Sequence, residues 1–248
     1  MLMFRGGVLG ITQGKTVVPI EDSLRLIAQG YLSPELGLIF AAITIAAIFF
    51  FTFQGRAKKK EYRFELRALH VDLLKAGFSS LLVLAYVIIM NLYRGLQTPV
   101  LLLAITAVVM SYVTDNTRFG RYAYAIGGNR EATRLSGINI KKNIFLIFVL
   151  MGLLCGVGGI TLTAYVAAGT IGAGLNYELD AIASCILGGT STLGGEGTVF
   201  GALIGSLIMA SLANGMSVMN MDIFWQYIIK GLVLILAVYI DVATKKTK

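Results

Sequence analysis

The sequence predicts an all-α fold: a polytopic integral membrane helical bundle, with short discontinuous helices near its C-terminal half. Three observations predict it. Of the 248 residues, 56% are hydrophobic and only 14% are charged, whereas a soluble domain carries about 25% charge to cover its surface. The mean hydropathy is +0.79. The charges are also clustered, so long uncharged apolar runs alternate with short basic ones. That is the pattern of a chain whose solvent is mostly lipid.

The elements follow in order. Met1 to Arg5 leads into glycine-rich sequence that reads neither as the charged start of a signal peptide nor as a full span. A membrane-crossing helix needs about 20 apolar residues. Leu36–Phe53, Ala76–Leu92 (bounded by Lys75 and Arg94) and the long Ile144–Ala168 qualify. Pro99–Val113 is shorter, with a proline suited to a first helical position. Ala181–Leu193 and Thr198–Leu212 are shorter apolar pieces joined by Gly194-Gly195-Glu196-Gly197, and read as a tight hairpin of short or broken helices. Ile223–Ile240 qualifies despite Lys230. A central lysine costs about 2.5–3.5 kcal/mol on the insertion scale, and the eleven Leu, Ile, Phe and Val residues of this segment together offset it by roughly 5 kcal/mol.

Lysine and arginine placement orients the spans. Arg56, Lys58, Lys59, Lys60, Arg63, Arg67 and Lys75 fill one loop, and Arg118, Arg121, Arg130, Arg134, Lys141 and Lys142 fill another. Lys245, Lys246 and Lys248 close the tail. These regions are expected to face the cytoplasm. The opposite loops carry Arg94 alone or, between Gly169 and Asp180, no positive charge. Parity then requires the 181–212 hairpin to cross twice or to enter and leave from outside. The residues before Leu36 fall outside, and Arg5, Lys15 and Arg25 go against the rule there.

The net charge of +8 is explained by this topology rather than by a nucleic-acid surface, since the basic residues sit between apolar spans. Catalytic and metal constellations are missing. His70 is the one histidine, and Cys155 and Cys185 lie inside apolar runs as small hydrophobes. No glycine cluster is followed by the lysine of a phosphate-binding loop, so ATP, if used, is bound by another chain. No cofactor is expected and the chain does not read as an enzyme. The assigned spans contain no carboxylate of the kind an ion-coupled carrier uses. The Gly152/Gly156 and Gly201/Gly205 pairs suit close helix packing in lipid. Gly188, Gly189, Gln226 and Lys230 are candidates for a translocation path. Lys230 should face the protein interior or a watery path, with Glu178 or Asp180 as a partner only if the preceding loop folds inward.

The 114–143 loop is the most informative segment. Asn129 is a suitable N-cap and Gly137 a suitable residue just past a helix end, which predicts a two-turn helix between them. Arg130 and Arg134 share one face of it, with Glu131 within reach of Arg134 and Leu135 beside them. A helix this short is unstable alone in water and must dock on its own membrane domain or on a partner.

The run Phe119-Gly120-Arg121-Tyr122 through Gly137-Ile138-Asn139 resembles the cytoplasmic coupling segment of the ribose/xylose-type family of ABC sugar permeases. Tyr177-Glu178-Leu179-Asp180, Leu187-Gly188-Gly189-Thr190-Ser191 and Phe224-Trp225-Gln226-Tyr227 resemble the same family. Phe4-Arg5-Gly6-Gly7, Tyr93-Arg94-Gly95 and Thr98-Pro99-Val100 look most like its xylose branch. The resemblance covers essentially the whole chain and implies one transmembrane permease domain over residues 1–248. It implies two permease copies around a path for a small sugar, a cytoplasmic ATP-binding subunit seated on the short loop helix, and an extracytoplasmic sugar-binding protein. Asn129, Arg130, Glu131, Arg134, Leu135 and Gly137 would form the ATPase contact. Members of the family carry further spans, including a Gly-Ile-Asp-Leu-Ser-Val-Gly-like motif, that this sequence lacks. The chain is therefore expected to correspond to the later part of such a permease. A non-transporting membrane scaffold and an ion-coupled secondary carrier are the competing readings.

Overall fold

The computed structural model describes residues 2–18, 20–61 and 69–246, so the expected cytoplasmic placement of Arg63, Arg67 and Lys248 concerns residues outside those described. Among the described residues the chain forms eleven α-helices, and the β-structure is limited to isolated bridges at Val17–Gly169 and Tyr31–Gln97. Six helices are long and apolar enough to cross a membrane.

Two compact units divide the chain, Pro19–Leu102 and Met1–Val18 with Leu103–Lys248. In the first, α2 (Asp22–Gln29) precedes the long helices α3 (Pro34–Glu61) and α4 (Leu69–Asn91), which pack on each other. Arg56 of α3 pairs with Asp72 of α4. Leu32 N donates to Leu96 O (2.8 Å), and the Thr98 hydroxyl donates to Gly30 O (3.0 Å), tying the two loops at the other end. The second unit holds α1 (Leu2–Thr12), α6 (Arg118–Gly128), α7 (Arg130–Leu135), α8 (Ile140–Val166), α9 (Tyr177–Leu187), α10 (Val199–Val218) and α11 (Ile223–Lys246). The boundary falls within α5 (Thr98–Asn116).

The buried positions are occupied mainly by small residues: Ala41, Ala76, Ala164, Ala183 and Ala237 are all below 9% exposed. Large apolar side chains face outward instead, Phe78, Phe145, Phe148 and Leu207 each being more than 60% exposed. Lipid is as apolar as leucine, so such side chains gain little by turning inward, and helix contacts are left to small residues that allow close approach.

The C-terminal hairpin departs from the expected boundaries. Its first helix starts four residues earlier, at Tyr177, and stops at Leu187; its second is a full 20-residue helix rather than a short piece. Gly201 and Gly205 make this packing possible. A β-carbon on Gly205 would overlap the Ser184 carbonyl, and one on Gly201 would overlap that of Gly188. Gly152 and Gly156 of the other small-residue pair meet nothing within 4 Å in this chain. Gly205→Val should therefore force α9 and α10 apart and cost about 1–3 kcal/mol, whereas Gly152→Ala should be neutral or mildly stabilising. Thermal unfolding of the purified protein in detergent checks both.

Candidate functional site

The short basic helix is built by local capping. Asn129 is extended (φ −152°, ψ 101°) and separates α6 from α7. Its N–H closes α6 on Ala125 O (3.0 Å), while its side-chain oxygen accepts from Ala132 N (3.0 Å) and so caps α7. At the other end Gly137 takes a left-handed conformation (φ 79°). Its N–H bonds to Arg134 O and that of Ile138 to Thr133 O, the double closure of a Schellman motif. The helix is six residues long and lies between Asn129 and Gly137, as the cap residues indicated. Thr133 faces inward, 5% exposed, while Arg130, Glu131, Arg134 and Leu135 face out. Glu131 pairs with Arg134 at 3.0 Å, and Leu135 is 82% exposed.

Sequence reasoning missed the neighbouring helix α6. Thr117 caps it by accepting from Gly120 N, and Phe119, Tyr122 and Ile126 recur at helical spacing. That spacing was the available signal. α6 packs on α7 and α8, so the basic helix has a docked base within its own chain.

Residues 188–198 reach the same place. Gly127 and Gly128 meet Gly194 and Gly195 backbone to backbone, with no room for a β-carbon at Gly127. Tyr124 donates its hydroxyl to Gly197 O (2.9 Å). Thr192 donates from N (2.8 Å) and from its hydroxyl (2.7 Å) to Asp241 Oδ2 near the end of α11. The turn is thus fastened to α6 and to α11 together.

A cleft of about 320 Å³ opens between α9 and α11, and Asn176, Tyr177, Asp180, Gln226, Tyr227 and Lys230 supply its polar groups. Asp180 lies in the first turn of α9, not in a loop. Lys230 donates to Asp180 Oδ2 at 2.7 Å, the two side chains being 21% and 29% exposed. Lys230 sits seven residues into α11, about 10 Å from its start, which is shallower than a mid-span position. Gln226 donates to Met221 O at 3.0 Å. Of the four path candidates the structure brings Gln226 and Lys230 into this cleft. Gly188 lies against the Gly201 backbone, and Gly189 is exposed in the turn beyond α9. Among the described residues no group of three or more His, Cys, Asp or Glu gathers at a metal-binding spacing.

Six apolar spans, a partly buried ion pair in a cleft and a docked basic helix define a polytopic integral membrane protein. The chain belongs to the family described as branched-chain amino acid transport system / permease component, which it matches over residues 25–238. It is 44% identical over 245 residues to the xylose transport system permease protein XylH of Haemophilus influenzae, covering 99% of this chain and 65% of that protein. Against XylH of Escherichia coli K12 it is 43% identical over 246 residues, covering 99% of this chain and 63% of the relative. The ribose import permease protein RbsC of the same strain is 45% identical over 147 residues, 59% of this chain and 46% of the relative. The chain thus spans just under two thirds of the length of the xylose permeases it matches. No solved structure matches it.

The ion pair can be tested directly. Lys230→Leu leaves Asp180 without its countercharge and should lower stability by about 1–3 kcal/mol. The double variant with Asp180→Leu should recover much of the loss, because a paired charge is removed whole. A double-mutant cycle on thermal unfolding reads the coupling.

Proposed function

We propose that the chain acts as the membrane-spanning permease of an ATP-binding-cassette importer for a pentose such as xylose, in the inner membrane of a bacterium. It works as one of two permease copies. An extracytoplasmic binding protein delivers the sugar, and a separate cytoplasmic ATPase supplies the energy. Its own side chains carry no catalytic step.

The observation that carries this reading is the form of α7. A six-residue helix too short to persist alone is held at both ends by caps, with Thr133 turned inward and Arg130, Arg134 and Leu135 presented outward. Its inner face docks on α6 and α8, and the outward Arg130, Arg134 and Leu135 would suit a groove on a soluble partner with acidic rims and an apolar hole. The similarity to xylose permeases over nearly the whole chain supports the same partner and sugar.

Two experiments test it. Exposed ion pairs contribute only about 0–1 kcal/mol each, so single alanine changes at Arg130 or Arg134 should be mild. Arg130→Glu with Arg134→Glu brings like charges together at a partly desolvated contact. The double variant should stay abundant in membranes yet lose the co-expressed ATPase on purification; retention at wild-type levels removes α7 from the coupling role. Topology supplies the second test. A cysteine at position 172 should react with an impermeant thiol reagent added outside cells, and one at position 130 should not. Labelling at 130 reverses the orientation and ends the coupling reading.

A further inference from the structure

We infer that the α9–α11 cleft is a binding subsite for one neutral polyhydroxylated molecule of sugar size, and that the Asp180–Lys230 pair sets its preference for uncharged ligands. The inference rests on the permease reading above and names what that cleft selects.

Size and walls come first. The cleft holds about 320 Å³ and has Leu175, Leu179 and Met209 among its apolar walls, within the range of small-molecule sites. Its polar groups have bonding capacity to spare. Lys230 has three N–H donors and spends one on Asp180 Oδ2, leaving Asp180 Oδ1 open. Gln226 is pinned through its amide nitrogen to Met221 O, which leaves its oxygen as an acceptor. Asn176 stands at the N-cap of α9 but makes no capping bond with its side chain, and its backbone is left-handed (φ 63°). Asn176 lines the cleft, and its amide is not spent on capping α9.

The charge balance decides what fits. A hydroxyl both donates and accepts, so neighbouring hydroxyls can take an N–H of Lys230 and give a proton to Asp180 Oδ1 without separating the pair. An anion drawn to the ammonium meets a carboxylate 2.7 Å from it, and gains no net countercharge for the water it gives up. The pair therefore disfavours sugar acids while admitting the parent sugar. A pair that merely pins α9 to α11 would show no such preference.

Binding heat gives a readout independent of transport. The full chain is placed in lipid nanodiscs and titrated calorimetrically with D-xylose and with D-xylonate. Wild type should respond saturably to xylose, with xylonate about tenfold weaker or more. Asp180→Asn leaves the ammonium alone and should shift the preference about tenfold or more toward xylonate. Lys230→Gln leaves the carboxylate alone and serves as the second variant, with a response shifted toward cationic D-glucosamine relative to D-glucose. Absence of a saturable xylose response overturns the subsite, as does an unchanged charge preference in both variants. If xylose fails while the ATPase still co-purifies, the subsite alone falls; if the ATPase is indifferent to charge reversal while xylose still titrates, the coupling reading alone falls.

Discussion

Contact of backbone on backbone, at positions where no side chain intervenes, holds the C-terminal half together. Helices in lipid gain little by hiding apolar side chains from a solvent that is itself apolar. They associate where they can approach closely, and α9 meets α10 through Gly201 and Gly205 against Gly188 and Ser184. The same device recurs outside the spans, where Gly127 lies against Gly195. Because α9 has only eleven residues, about 16 Å, it cannot cross a hydrocarbon core of about 30 Å alone. The irregular backbone of the turn after it needs hydrogen-bond partners that lipid does not offer. Ser191 N takes Glu196 O, Asp241 takes Thr192, and Gly197 O takes the Tyr124 hydroxyl. One packing constraint thus fixes both the hairpin and what lies beneath it.

The spans were legible because hydropathy over 20 residues is a summed signal that a few polar positions do not erase. Lys230 shows this: the helix runs through it. Ends were less legible. Ala213-Asn214-Gly215 reads as a turn signal, yet α10 continues to Val218 with Met216 only 3% exposed. Tertiary packing there overrides a local preference. The helix α6 was hidden for the opposite reason, since its eleven residues are too few for hydropathy to stand out and the last two are Gly127-Gly128.

The candidate site divides along the same line. Caps are local chemistry, so Asn129, Gly137 and the Glu131–Arg134 pair could be placed from spacing alone. The cleft joins residues fifty positions apart, Asp180 and Lys230, and no local rule ranks Asp180 above Glu178. Glycines were the hardest to place. Gly188 and Gly201 offer no side chain to reason from, and whether such a residue lines a path or packs a helix depends on its neighbour's backbone.

These contacts form a continuous series within one compact unit. α7 packs on α6; α6 meets the 194–197 turn at Gly127 and Tyr124; the turn leads back into α9; and α9 carries Asp180 to Lys230. Each joint is a backbone contact, a hydrogen bond or a helix, and none depends on a long flexible side chain until the ion pair itself. Under the proposed coupling role this matters for the direction of force. A displacement of α7 by a closing ATPase would reach the turn without slack, because Gly127 and Gly195 have no side chains to absorb it by changing rotamer. Thr192 anchors the turn to Asp241 at one end of α9 and α11, and the Asp180–Lys230 pair joins the same two helices at the other, where the cleft lies. Under that role a movement passed through the turn would reach the cleft through two helices that also pack on each other.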